Sequence, residues 1–135
     1  MILGFTGTRI GMDDQQRTIL IKTLDTIDVD LAIHGGCLGS DAEFHHICEE
    51  RDIPLEIYPG YSMKSPYDDS MQAKELQSKI LHSPNTHFAR NRIIVDRCDL
   101  LFACPLNDNH RGGTWYTINY AQQTLVPTII FKREY

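Results

Sequence analysis

Two glycine-punctuated turns constrain this chain more than any other feature. They are His34-Gly35-Gly36-Cys37-Leu38-Gly39-Ser40-Asp41 and Arg111-Gly112-Gly113-Thr114. Each follows a short apolar run and opens onto a helical pattern. A strand that ends in a tight turn and passes into a helix is the repeating unit of a parallel α/β sheet, because parallel strands need a crossover connection. Such turns also gather backbone N–H groups and the positive end of a helix at one spot, which suits a phosphate. With Gly7-Thr8-Arg9 and Arg90-Asn91-Arg92, they point to a site for a nucleotide or a related phosphorylated molecule.

The rest of the chain fits that unit. Ile2–Phe5 is a strand followed at once by the Gly7-Thr8-Arg9 turn. Asp13-x-x-Gln16 reads as a capping box, and Ile19, Leu20, Leu24 and Ile27 fall at helical spacing, so a helix is expected from Asp13 to about Thr26. Asp30–His34 is the second strand. Ser40-x-x-Glu43 reads as another capping box, with a helix to about Arg51. Pro54–Tyr58 is the third strand. Between 59 and 83, Pro59-Gly60 and Ser65-Pro66 mark turns, and a polar helix is expected from about Ser70 to Ile80; the stretch is either a lid or wall of the site or a mobile loop. A helix from Asn85 to about Cys98, an apolar strand Asp99–Cys104, a helix from Gly113 or Thr114 to about Thr124 and a strand Pro127–Phe131 complete the chain. The expected fold is a Rossmann-like open parallel sheet of five strands, order 3-2-1-4-5, with helices on both faces. In that order the turns after the first, second and fourth strands face one crevice, where such sheets bind ligands.

At 135 residues the chain suits one domain, 1–135. It has no apolar run of membrane-spanning length and no signal-peptide pattern, so a cytoplasmic protein is expected, with no membrane partner. The net charge of −5 argues against long nucleic acids, which require a basic surface. A local basic pocket is still available from Arg9, Arg90, Arg92, Arg97 and Arg111. Cysteines 37, 48, 98 and 104 show neither disulfide nor zinc spacing and read as buried hydrophobes. His45 and Glu49 share a helix face, but no metal site is expected.

Taken in order, Gly7-Thr8-Arg9, Gly35-Gly36-x-x-Gly39-x-Asp41, Phe88-x-Arg90-Asn91-Arg92-Ile93-Ile94 and Gly113-Thr114 resemble the superfamily that joins DNA-processing protein A, the lonely-guy phosphoribohydrolases and the molybdenum-cofactor carrier proteins, called SLOG. The resemblance covers nearly the whole chain. It implies a Rossmann-like domain that binds nucleotides or nucleotide-derived ligands, and relatives that are often dimers or tetramers. It also implies that Arg90 stands where the phosphoribohydrolases place a substrate-contacting Arg. Thr117 stands where their Gly-Thr-x-x-Glu motif places the catalytic Glu, and Leu106–Arg111 replaces their compact Pro-Gly-Gly turn.

A threonine hydroxyl is neither a charge nor a useful base for cleaving a ribosyl bond. The first reading is therefore a binding module that senses, carries or sequesters its ligand and requires no cofactor. The alternatives are a nucleoside-monophosphate N-glycosidase or ribosyl transferase, and a single-strand DNA binder like DNA-processing protein A. The expected ligand residues are Gly7, Thr8, Arg9, Gly35, Gly36, Gly39, Ser40, Asp41, Arg90, Asn91, Gly112, Gly113 and Thr114. If the chain is an enzyme, Arg90, Asp41 and Glu43 are its catalytic candidates. Ser40 and Thr114 double as helix caps, Arg92 pairs with Asp96 one turn on, Cys37 is a possible reactive thiol, and Trp115 and Tyr116 are expected in the core.

Overall fold

The computed structural model describes residues 1–62, 70–76 and 80–134. The chain runs β1 (Ile2–Gly7), α1 (Asp14–Leu24), β2 (Leu31–His34), α2 (Ser40–Glu49), β3 (Leu55–Ile57), β4 (Gly60–Tyr61), β5 (Ile80–Leu81), β6 (Asn85–Thr86), α3 (His87–Arg97), β7 (Leu100–Cys104), α4 (Gly113–Gln123) and β8 (Thr128–Ile130). The main sheet has the order β5-β3-β2-β1-β7-β8, and every pairing in it is parallel. It has six strands where the sequence predicts five. The extra strand, β5, is two residues long and adds at the edge beyond β3. A separate pair, β4 and β6, is also parallel.

The central strand β1 pairs with both neighbours, Leu3 against Ala32 on one side and Phe5 against Phe102 on the other. Its side chains alternate between two helical layers, as strand geometry requires. Leu3 and Phe5 meet Leu20 and Leu24 of α1 and Phe44, Ile47 and Cys48 of α2. Phe5 and Phe44 stack with ring centroids 4.3 Å apart. On the opposite face, Ile33 and Leu101 pack with Ile94 and Val95 of α3 and Ala121 of α4. Gly4 belongs to this second layer. A Cβ there would sit 2.9 Å from Cys98 Sγ and 3.2 Å from Ile94, so the missing side chain lets α3 lie close on the strand.

The Asp13 capping box forms as expected. Gln16 N–H donates to Asp13 Oδ1 at 2.8 Å, and Asp13 N–H donates to Gln16 Oε1 at 3.1 Å. Gln16 is fully buried and also donates to the carbonyls of Pro105 and Phe131, both at 2.8 Å. One side chain thus ties α1 to the ends of β7 and β8.

The Ser40 capping box does not form. The N-cap of α2 is Gly39, with no side-chain cap, and Ser40 Oγ donates instead to the Thr8 carbonyl at 2.6 Å. The helix expected over 70–80 is also corrected. Residues 70–76 form turns and a bridge between Gln72 and Cys37, and Ile80 lies in β5. The Ser65-Pro66 turn lies outside the described residues. Among the described residues no helix is long and apolar enough to cross a membrane.

Candidate functional site

The loops after β1, β2 and β7 and the start of α3 enclose one cleft of about 680 Å³ at the C-terminal edge of the sheet. Of the expected ligand residues, Gly7, Thr8, Arg9, Gly35, Asp41, Arg90, Asn91, Gly112, Gly113 and Thr114 line it. Gly36, Gly39 and Ser40 do not. The volume matches the range of pockets that hold small ligands. Tyr61 and Ser62 form part of its wall.

The first glycine turn directs its amides inward. Gly36 N–H donates to His34 Nδ1 at 2.9 Å, Cys37 N–H to Asp41 Oδ2 at 3.1 Å, Leu38 N–H to the Met71 carbonyl at 2.8 Å and Ser40 N–H to the Thr8 carbonyl at 3.1 Å. A donor already bonded inside the fold is not available to an anion. Gly39 has a φ of +81°, and a Cβ there would run into the backbone of Arg9. This glycine brings the β1 and β2 turns into contact. The expectation that this turn cradles phosphate with its amides is therefore corrected; it shapes the cleft floor.

Beneath that turn lies a buried imidazole pair. His34 Nε2 and His45 Nδ1 are 2.8 Å apart. The Gly36 N–H occupies His34 Nδ1, so the proton on neutral His34 sits on Nε2 and is donated to His45. Burial, then the neighbouring His45 and Arg90, push the His34 pKa down to about 3.

The second glycine turn faces outward. Gly112 is the N-cap of α4 with no side-chain cap, and a Cβ on Gly112 or Gly113 would meet nothing within 4 Å. The amides of Gly113, Thr114 and Trp115 have no acceptor among the described residues. Thr114 does not cap the helix as expected. Arg9 and Arg111 are exposed on the same rim, and neither forms an ion pair among the described residues. The preceding loop is braced by its own side chains. Asn107 Oδ1 accepts from Asn109 N–H at 3.1 Å, and Asn109 Oδ1 accepts from Arg111 N–H at 2.9 Å. Trp115 is buried, donates to the Asn107 carbonyl at 2.8 Å and stacks on His110 at 3.9 Å.

Arg90 is only 4 % exposed, and its five N–H groups are all used. Nη1 donates to the carbonyls of Gly35 and Tyr58 at 3.1 and 3.0 Å, Nη2 to Cys37 Sγ and His87 Nδ1 at 3.6 and 3.0 Å, and Nε to Asn91 Oδ1 at 2.6 Å. It touches the cleft but organises its neighbours. His87, missed in the sequence, lines the cleft one helical turn before Arg90. Burial, then Arg90 and Arg9, lower its pKa to about 4. The spacing His87-x-x-Arg90 at a helix start was the available signal. Asn107 and Asn109 were also missed; their alternation inside a loop is the usual pattern of side chains that hold turns.

Other expectations need revision. Asp41 is buried at the cleft floor, where burial raises its pKa against the opposing pull of Arg90 and the Cys37 amide. Glu43 is turned away: it accepts the Met12 N–H at 2.8 Å and pairs with Arg17. That removes it from the catalytic candidates. Cys37 lines the cleft, but burial, then Asp41, lift its thiol above the ordinary range, which opposes a reactive thiolate. Thr117 is buried and donates to the Gly113 carbonyl at 2.9 Å. Arg92 does not pair with Asp96; it donates to Tyr116 Oη at 2.6 Å, while Asp96 accepts from Tyr120 Oη at 2.7 Å.

The sequence matches no family model and no curated protein. Solved structures do match. The molybdenum cofactor binding protein from the phototrophic bacterium Rippkaea orientalis superposes with a TM-score of 0.71 at 16 % identity, covering 98 % of this chain and 77 % of that one. The protein TM1055 superposes with a TM-score of 0.64 at 12 % identity, covering 94 % and 71 %. The chain shares the parallel α/β fold of these two proteins.

Proposed function

We propose that the cleft binds a nucleotide or nucleotide-derived phosphorylated ligand, and that the protein senses, carries or sequesters it. The observation that carries this reading is the open N-terminus of α4. Among the described residues, the amides of Gly113, Thr114 and Trp115 are free, and two guanidinium groups on the same rim, Arg9 and Arg111, are unpaired. Backbone donors, a helix dipole and arginines that already lack partners make a phosphate site in which no internal hydrogen bond has to break. The rest of the ligand extends over the floor made by Gly35, Asp41 and Arg90. The similarity to a protein named for binding a molybdenum cofactor supports a role in holding a ligand. Thr117 brings no carboxylate to the position of the hydrolase Glu, so the ligand is held unchanged.

A thermal-shift series with nucleoside 5′-monophosphates tests this. A ligand at about 100 times its Kd stabilises the fold by about 2.7 kcal/mol. A raised melting temperature, lost in Arg9→Ala and Arg111→Ala, with the nucleotide recovered intact, is expected. Release of free base would replace the binding reading with the hydrolase. No response to any phosphorylated compound would end both.

A further inference from the structure

Arg90 is charged and buried, yet it has no N–H left for a ligand. What it does instead is set the hydrogen-bonding sense of two neighbours. An arginine only donates. His87 Nδ1 receives Arg90 Nη2 at 3.0 Å, so it must be an acceptor, and the single proton of the neutral ring lies on Nε2. Asn91 Oδ1 receives Arg90 Nε at 2.6 Å, so the oxygen faces the arginine and the amide Nδ2 faces away. Both residues line the cleft and are half-buried. Neither His87 Nε2 nor Asn91 Nδ2 has a partner among the described residues.

From this arrangement we infer that the start of α3 is a donor-only face, on which His87 Nε2–H and Asn91 Nδ2–H₂ select ligands that present hydrogen-bond acceptors. The inference rests on the cleft being a ligand site and adds the chemistry of the ligand's second end. The first end sits at α4, where the unpaired amides are. The second meets two neutral N–H donors and is a carbonyl-bearing or otherwise acceptor-rich edge. An amino group placed there would oppose one donor to another and leave buried N–H groups unpaired, which is the costly arrangement. Phe88 is 53 % exposed, lines the same part of the cleft and packs on Tyr116 at 4.4 Å between centroids, offering an apolar ring surface beside the donors.

Inosine and adenosine 5′-monophosphate are suitable probes, because they share phosphate, sugar and ring shape but present different edges to a pair of donors. The O6/N7 edge of the inosine compound offers two acceptors, where the adenosine compound pairs the acceptor N7 with a donor amino group, and N1 is N–H in the first and a bare acceptor in the second. Calorimetric titration of the wild type is expected to favour the inosine compound about tenfold or more. Asn91→Asp keeps the oxygen that Arg90 needs and converts the outward amide into an acceptor, so its fold survives. In Asn91→Asp the preference is expected to shrink or invert. Nitrogen-15 spectra of the imidazoles give a second readout that does not depend on any variant: the apo protein should show His87 as the Nε2–H tautomer, with that signal moving when the inosine compound binds.

Inorganic phosphate is the third probe. If it alone moves the His87 and Asn91 signals, the acceptor is a phosphoryl oxygen; if only the inosine compound does, the acceptor belongs to the base. A nucleotide that shifts the Gly113 amide but leaves His87 and Asn91 unmoved, a proton on His87 Nδ1, or equal affinities for the two nucleotides would overturn the donor face and spare the ligand site. Silence at Gly113 for every probe would refute both.

Discussion

The imidazole pair under the first glycine turn makes stability depend on pH in a calculable way. His34 is fully buried and has its pKa pushed down to about 3. In the unfolded chain it titrates near 6.5. Between those values the unfolded state carries a proton that the folded state refuses, so stability is fully present above pH 6.5 and is lost as the pH falls. At pH 5 the solution lies about 1.5 pH units below the unfolded value, and each unit costs about 1.4 kcal/mol, giving a loss of about 2 kcal/mol. The figure hardly changes if the folded pKa is a unit higher, because pH 5 remains above it.

The test is urea unfolding of the wild type and of His34→Gln at pH 7.5 and pH 5.0. Glutamine cannot titrate, so the loss between the two pH values should be smaller in the variant by about 2 kcal/mol, whatever its starting stability. With a slope of about 2 kcal/mol per molar urea, this is a difference of about 1 M in the midpoint shift. Identical pH losses in the two proteins would mean that His34 protonates freely in the fold, and the buried-pair account would be wrong. His87, whose ring reaches the cleft, also loses stability over the window from pH 6.5 down to about 4, and this loss is common to both proteins.

Three further outcomes follow from single contacts. Gly39→Ala forces a Cβ into the Arg9 backbone at a φ of +81° and should lower stability by about 2–3 kcal/mol in the same urea assay. Arg90→Met strips the Gly35 and Tyr58 carbonyls of their donor and should lower stability by about 3 kcal/mol, more than a ligand-only arginine would. Trp115→Phe removes the bond to the Asn107 carbonyl, lowers stability by about 1 kcal/mol and loosens the loop that carries Arg111, seen as faster amide exchange at residues 109–111.

What the sequence revealed was decided over short stretches. The Asp13–Gln16 cap, the short strand that opens the chain and the apolar run of β7 depend on neighbours a few residues away, and all three stand in the structure. What it hid was decided at long range. Ser40 and Glu43 have the spacing of a capping box, but the Thr8 carbonyl, 32 residues away, claims Ser40, and Met12 and Arg17 claim Glu43. Arg92 and Asp96 lie at pairing distance on one helix, yet each bonds a tyrosine of α4. Arg90 has the look of a ligand contact because its residue type suits phosphate; only the fold brings the Gly35 and Tyr58 carbonyls, 55 and 32 residues off, within its reach. Strand β5 has two residues and no pattern long enough to read.

The two glycine turns look alike in sequence and differ in where their N–H groups point, and that difference is the most direct test of the account. Titration of the nitrogen-15-labelled protein with inosine 5′-monophosphate should move the amide signals of Gly113, Thr114 and Trp115 and leave those of Gly36, Cys37 and Leu38 largely in place. Large shifts at residues 36–38 with none at 113–115 would contradict it.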